Sequence, residues 1–217
     1  QCLRSMNDRR KEKFKWVADR RQPDLTVILE NVTDQHNIGA VIRSCDSVGV
    51  TEIFVLNTEP HLQTKSIVIG KRTSMGARKW VDIHYYTDID KCFEQVRSKY
   101  ERILGTHLDA SAKSLYALQL DKPVALLFGN EHSGLSEACR SRIDGNFVIP
   151  QAGMAESLNI SVACAVTLYE AYRQRSLAGF YEEPFRMKPE EREYLNQLYL
   201  DRHAKRRQGR MVVKRKQ

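Results

Sequence analysis

Four polar side chains, Glu156, Ser157, Asn159 and Ser161, crowd one junction of the chain. A short apolar strand, Phe147-Val148-Ile149, ends there at Pro150, which cannot donate to a sheet ladder. Beyond it Leu158, Val162, Ala165, Val166 and Tyr169 recur at helical spacing. Ser and Asn are common helix caps for backbone reasons alone, so this stretch by itself makes no site. Two further stretches have the same character: DQHNIGAVIR, Asp34 to Arg43, and FGNEHSGLS, Phe128 to Ser136. A shorter one is Gly105-Thr106-His107. Each follows an apolar strand, and an open α/β sheet takes its ligands off the carboxyl ends of its strands. The convergence of these turns, rather than any single motif, points to one ligand site.

Other chemistries lack their signatures. There is no GxxxxGK[ST] phosphate loop, no GxGxxG opening a helix after the first strand, no HExxH and no GxSxG elbow. The five cysteines are scattered and form no CxxC, so neither a disulfide framework nor a zinc site is indicated. The six histidines lie far apart in sequence and read as structural or solvent-facing residues. No metal is expected.

The elements that must position these turns alternate. Leu25–Leu29, Ile53–Leu56, Trp80–Tyr85, Arg102–Thr106, Val124–Phe128 and Phe147–Ile149 read as strands. Helices are expected from Asn37 to Val48, closed by Gly49, and over Asp88–Tyr100, Ser136–Arg142, the stretch after Asn159 and Pro189–Arg202. A basic helix is expected over residues 6–21, with Phe14, Trp16 and Val17 on its apolar face, and a short helix around Lys65–Met75. This βα alternation predicts an α/β fold with a parallel sheet covered on both faces. The boundaries expected are a basic helical extension over 1–22, a central domain over 23–178, and a helical, basic extension over 179–217.

Charge is unevenly placed. Residues 1–21 carry eight Lys/Arg against three acids and residues 201–217 eight against one, which leaves nineteen against twenty-three between them. Basic ends on a mildly acidic middle are the usual footprint of nucleic-acid contact. No apolar run approaches the roughly 18 residues of a membrane span, and a reducing, cytoplasmic setting is the expectation.

NIGAVIR, FGNEHSGLS and IPQAGMAESLNISVACA closely resemble the three signature motifs of the SpoU (TrmH) family of RNA ribose 2′-O-methyltransferases, in order and at the family's spacing. The resemblance covers about residues 25–175. The flanks, RRQPDLTV and the basic ends, look like the branch that modifies guanosine 18 of tRNA. It implies the SPOUT fold with a deep C-terminal trefoil knot, S-adenosylmethionine as methyl donor, tRNA as substrate and a homodimer paired through the Asn159–Tyr169 helix. By resemblance, the backbone around Thr106, Gly129, Ile149 and Leu158 holds the donor, with His107 beside Thr106 and Leu127, Ile149 and Leu158 as aliphatic walls for its adenine.

The resemblance also assigns roles at the reacting end. Arg43 is the central catalytic residue. A guanidinium stays charged in proteins, so electrostatic stabilisation of a developing alkoxide is physically easier for it than service as a base. Asn37 orients Arg43 or the ribose, Ser157 and Asn159 position the same groups, and Glu131 orients Arg43 or shapes the dimer. Arg9, Arg10, Arg20, Lys205, Arg206 and Arg207 grip RNA phosphates without reading sequence. Two other functions share these residues: the same transfer on ribosomal RNA, and an RNA-binding module without turnover.

Overall fold

The computed structural model describes residues 8–69, 74–205 and 211–216. Its strands are β1 Leu25–Glu30, β2 Glu52–Leu56, β3 Ser66–Ile69, β4 Asp82–Tyr86, β5 Arg102–Thr106, β6 Lys113–Ser114, β7 Val124–Phe128, β8 Gly145–Val148 and β9 Met211–Lys214. Its α-helices are α1 Asp8–Asp19, α2 Gln35–Ser47, α3 Ile89–Arg97, α4 Glu137–Arg140, α5 Ile160–Leu177 and α6 Pro189–Ala204. Seven strands form one sheet in the order β4-β2-β1-β7-β5-β8-β6, and every pairing in it is parallel. This is the α/β architecture expected from the alternation.

The central strands β1, β2 and β7 are buried at every position, which is why they read as nearly continuous apolar runs. Val27 and Leu29 face the layer of α2 and α5, whose Ile38, Val41, Ile42, Cys164 and Leu168 join the same cluster. Ile28, Phe54, Ala125 and Leu127 face the opposite layer, with Cys92, Phe93 and Val96 of α3. The strand order matters most for function. β7 lies between β1 and β5, and β8 lies beyond β5, so the carboxyl ends of β1, β7, β5 and β8 stand side by side.

Three expectations about elements are corrected. The segment Ser66–Ile69 is a strand, not a helix: Ile67, Val68 and Ile69 are β-branched and pair antiparallel with Val213, Val212 and Met211. On α5 the buried stripe is Ile160, Cys164, Thr167, Leu168 and Ala171, while Val162 and Tyr169 are 46% and 53% exposed. The first half of that helix, Ile160 to Leu168, is apolar almost all round, so spacing alone does not single out the buried stripe. Trp16 of α1 is 56% exposed, and Phe14 and Ala18 carry the buried face.

The two terminal extensions pack on each other. Phe14 and Ala18 of α1 meet Tyr199 of α6, with Trp80 against both. Arg21, wholly buried, donates to the Tyr199 hydroxyl at 2.7 Å, to Asp46 at 2.7 Å and to the carbonyls of Val50 and Trp80. It therefore clamps the extensions to the sheet and is no free cation. Val50 and Trp80 lie two residues before β2 and β4, so this assembly sits at the amino edge of the sheet.

Candidate active site

The turn after β1 is fixed first. Asn31 adopts a left-handed φ of 52° and its side chain receives the backbone N–H of Thr58 at 2.8 Å and donates to Thr58 Oγ1 at 2.9 Å. Asp34 caps α2 by accepting from His36 N at 2.7 Å. Asn37, in the first turn of α2, is thus free of capping duty.

The turn after β7 closes on itself. Asn130 and Gly134 exchange backbone hydrogen bonds of 3.0 and 2.9 Å, and Asn130 Oδ1 accepts from the N–H groups of His132 and Ser133. The Asn130 amide donates to the carbonyl of Asn31 at 2.8 Å, joining this turn to the first. Gly129 is required by close approach: a Cβ there would lie 2.3 Å from the carbonyl carbon of Gly134. Glu30, at the end of β1, accepts the Ser136 N–H at 3.0 Å. Burial, with the Glu30 carboxylate beside it, pushes the Cys139 thiol up, so it stays protonated. Glu30, Asn31 and Asn130 were missed as site-building residues, although each stands at or next to the end of an apolar strand, where such a role is to be looked for.

The turn after β8 leads into α5, whose N-cap is Asn159. Its Oδ1 accepts from Ser161 N at 2.9 Å and from Ser161 Oγ at 2.6 Å. Its Nδ2 donates to Asn37 Oδ1 at 3.3 Å. Asn37 Nδ2 in turn donates to Glu131 Oε1 at 2.8 Å. A single amide therefore joins all three turns, from sequence positions 122 and 94 residues away. The other oxygen of Glu131, Oε2, is enclosed and has no hydrogen-bond partner among the described residues. Such a group costs about 1–3 kcal/mol when left unmade.

Not every residue named from the sequence joins this network. Arg43 lies six residues after Asn37, roughly 9 Å along α2 and about 120° around it. It is exposed, and no hydrogen bond or ion pair holds it among the described residues. Ser157 is exposed on the Pro150–Ser157 turn and is not the cap. Thr106, Gly129 and Ile149 do come together, because Gly105 pairs with Leu127 and Thr106 with Phe147. Ile149 and Leu158 are half-buried and can offer apolar surface. The Leu127 side chain cannot: it is 0% exposed and packs into the α3-side layer, so this position offers backbone only. His107 faces a polar hollow of about 470 Å³ with Asp109, Ser111, Arg140 and Asn146. There its Nε2 lies 3.3 Å from Arg140 Nη1, and hydrogen bonds from Asn146 and Ser111 hold Asp109 down to about 2.

The cations expected to hold RNA are divided. Arg9 and Arg10 line a groove of about 580 Å³ with Lys13, Phe14 and Trp80, at the amino edge, opposite the Asn37 network. Arg20 lies 4.4 Å over the Trp16 ring and also faces Phe185. Lys205 is exposed, and Arg206 and Arg207 lie outside the described residues.

Comparison with known proteins identifies the family. The chain is 40% identical over 188 residues to a Thermus thermophilus protein named tRNA (guanosine(18)-2'-O)-methyltransferase, covering 87% of this chain and 94% of that one. The fold superposes on the Aquifex aeolicus TrmH/SpoU tRNA modifying enzyme with a TM-score of 0.77 at 33% identity, covering 89% and 96% of the two chains. It superposes on the SpoU methyltransferase AviRb of Streptomyces viridochromogenes, solved in complex with the cofactor AdoMet, with a TM-score of 0.61 at 28% identity, covering 71% and 59%. With residues 24–169 matching the family described as SpoU rRNA Methylase, and the three turns of that family gathered at one sheet edge, this chain belongs to the SpoU methylase family.

Proposed function

We propose that the protein transfers a methyl group from S-adenosylmethionine to a ribose 2′-oxygen of tRNA, at guanosine 18 of the D-loop. The observation that carries this is the Asn37 amide bonded to both Glu131 and Asn159, which joins the three turns at one sheet edge. The Thermus thermophilus relative named for that activity is matched over 94% of its length.

The residues present suit the donor. Adjacent strand ends bring the backbone of Thr106, Gly129 and Ile149 together, and Ile149 and Leu158 add aliphatic surface. When bound, the donor supplies a sulfonium-activated methyl carbon. The chain's own task is to hold the ribose hydroxyl in line and accept its proton. Asn37, itself bonded to Asn159, fixes the orientation of the Glu131 carboxylate, whose negative charge stands beside the site. Arg43 supplies positive charge to the developing alkoxide rather than a basic site.

The same reading includes a homodimer and a C-terminal trefoil knot, in a cytoplasmic enzyme. Val162, Tyr169 and Tyr172 leave an exposed apolar stripe on α5 next to Ser47 of α2, one turn from Arg43, which suits pairing of two copies with Arg43 at the seam. The test is incubation with labelled methyl donor and either tRNA or ribosomal RNA transcripts, followed by mapping of the modified nucleotide. Methylation at guanosine 18 of tRNA is the expected result; label confined to ribosomal RNA, or no transfer, refutes it.

A further inference from the structure

The C-terminal strand β9 is not a loose basic tail. Met211–Lys214 pairs residue for residue with β3, burying Val213 against Ile67 and Ile69. The pairing continues past the strand: Arg215 N donates to Lys65 O at 3.1 Å and Lys216 N to Tyr85 O at 2.8 Å. Lys216 Nζ ends 5.9 Å from the Tyr86 ring centroid. Tyr85 and Tyr86 close β4, and Tyr86 pairs with Leu56 at the end of β2, so the ribbon delivers its last residues to the carboxyl edge of the sheet. That is the edge of the Asn37 network. The loop between them is anchored to the network's frame, since Thr58 and Glu59 both donate to Asn31 Oδ1, and Asn31 O accepts from Asn130.

We propose that this ribbon is an RNA-backbone contact surface, with Lys65, Lys214, Arg215 and Lys216 as its phosphate ligands; the inference rests on the tRNA reading above. All four side chains are exposed, and none has an ion-pair partner among the described residues. Three arginines elsewhere do have one, exposed Arg97 with Asp144 and half-buried Arg142 and Arg202 with Asp90 and Asp82, whereas exposed Arg43 does not. Four like charges held together by backbone pairing repel one another, and a polyanion relieves that repulsion while releasing its counterions. A solvated tail would keep the protein soluble without any ordered strand. Position favours the ribbon further, because the cations of α1 stand at the opposite edge of the same chain.

The experiment compares tRNA binding by the full protein and by the triple variant Lys214→Gln/Arg215→Gln/Lys216→Gln across a salt series. Donor affinity and the thermal midpoint serve as folding controls. Three lost phosphate contacts should lower the slope of log affinity against log salt by about 2–3 and weaken binding at least about tenfold near physiological salt. The charge-preserving variant Lys214→Arg/Lys216→Arg should bind as the parent does. A triple variant with the parent's slope and affinity overturns the ribbon while leaving the methyltransferase reading intact. A parent protein that binds and methylates no tRNA overturns both.

Discussion

Replacing Asn37 tests the site most directly, because among the described residues its side chain bonds only Glu131 and Asn159. Asn37→Ala removes the 2.8 Å donation to Glu131 and the 3.3 Å acceptance from Asn159, while Asp34 still caps α2. A hydrogen bond to a charged acceptor contributes about 1.5–3 kcal/mol, and each 1.4 kcal/mol is tenfold in rate. If the bond holds Glu131 in its productive orientation, single-turnover methyl transfer should fall roughly 10- to 150-fold. Asn37→Asp keeps the shape but sets a carboxylate against a carboxylate. At an effective dielectric of about 20, charges 2.8 Å apart repel by about 6 kcal/mol. The pair escapes by binding a proton, which raises its apparent pKa, so the Asp variant should recover rate as pH falls. The assay is single-turnover transfer at saturating donor and tRNA over a pH series, with thermal midpoints recorded in parallel. An Asn37→Ala rate within about threefold of the parent, together with an equally mild Asn159→Ala, would refute the network as the organising unit.

Gly129→Ala should abolish donor binding measured by calorimetry, because its Cβ would lie 2.3 Å from the Gly134 backbone; retained affinity would show that the turn yields. Val162→Asp/Tyr169→Asp should convert a dimer into a monomer in light scattering, and a parent that is already monomeric would exclude pairing through α5. Glu52 concerns stability alone. Burial would raise its pKa, but hydrogen bonds from His84 and Lys99 bring it down to about 2 from its ordinary 4.5. A depressed carboxylate contributes stability above its unfolded pKa and loses it as pH falls through the folded value. About 3 kcal/mol should therefore be lost as pH falls from 4.5 through about 2, and Glu52→Gln should flatten that part of a denaturation-against-pH curve.

The chain's local chemistry made most of the sheet legible. β-branched runs bounded by Gly, Pro and polar turns marked the principal strands, and their alternation with helical spacing implied parallel pairing. The turns after β1, β7 and β8 were recognisable because polar residues interrupt apolar periodicity there. What stayed hidden depends on distant partners. β3 is a strand because β9, some 145 residues later, pairs with it. The α5 stripe that faces the core is chosen by α2, not by α5. That Asn159 and not Ser157 caps α5, and that Arg43 stands apart from Asn37, are matters of rotation about a helix axis. The placing of α1 at the amino edge follows from the buried Arg21 clamp, which as a sequence reads only as one more positive charge.

Asn159 serves two masters. Its oxygen starts the longest helix of the described chain while its nitrogen steadies Asn37. A descendant that abandoned catalysis would still gain about 1 kcal/mol by keeping it, or a Ser or Asp in its place, as the helix cap. Finding this asparagine in a related chain is therefore poor testimony to turnover. Asn37, which folding can spare, is the better witness.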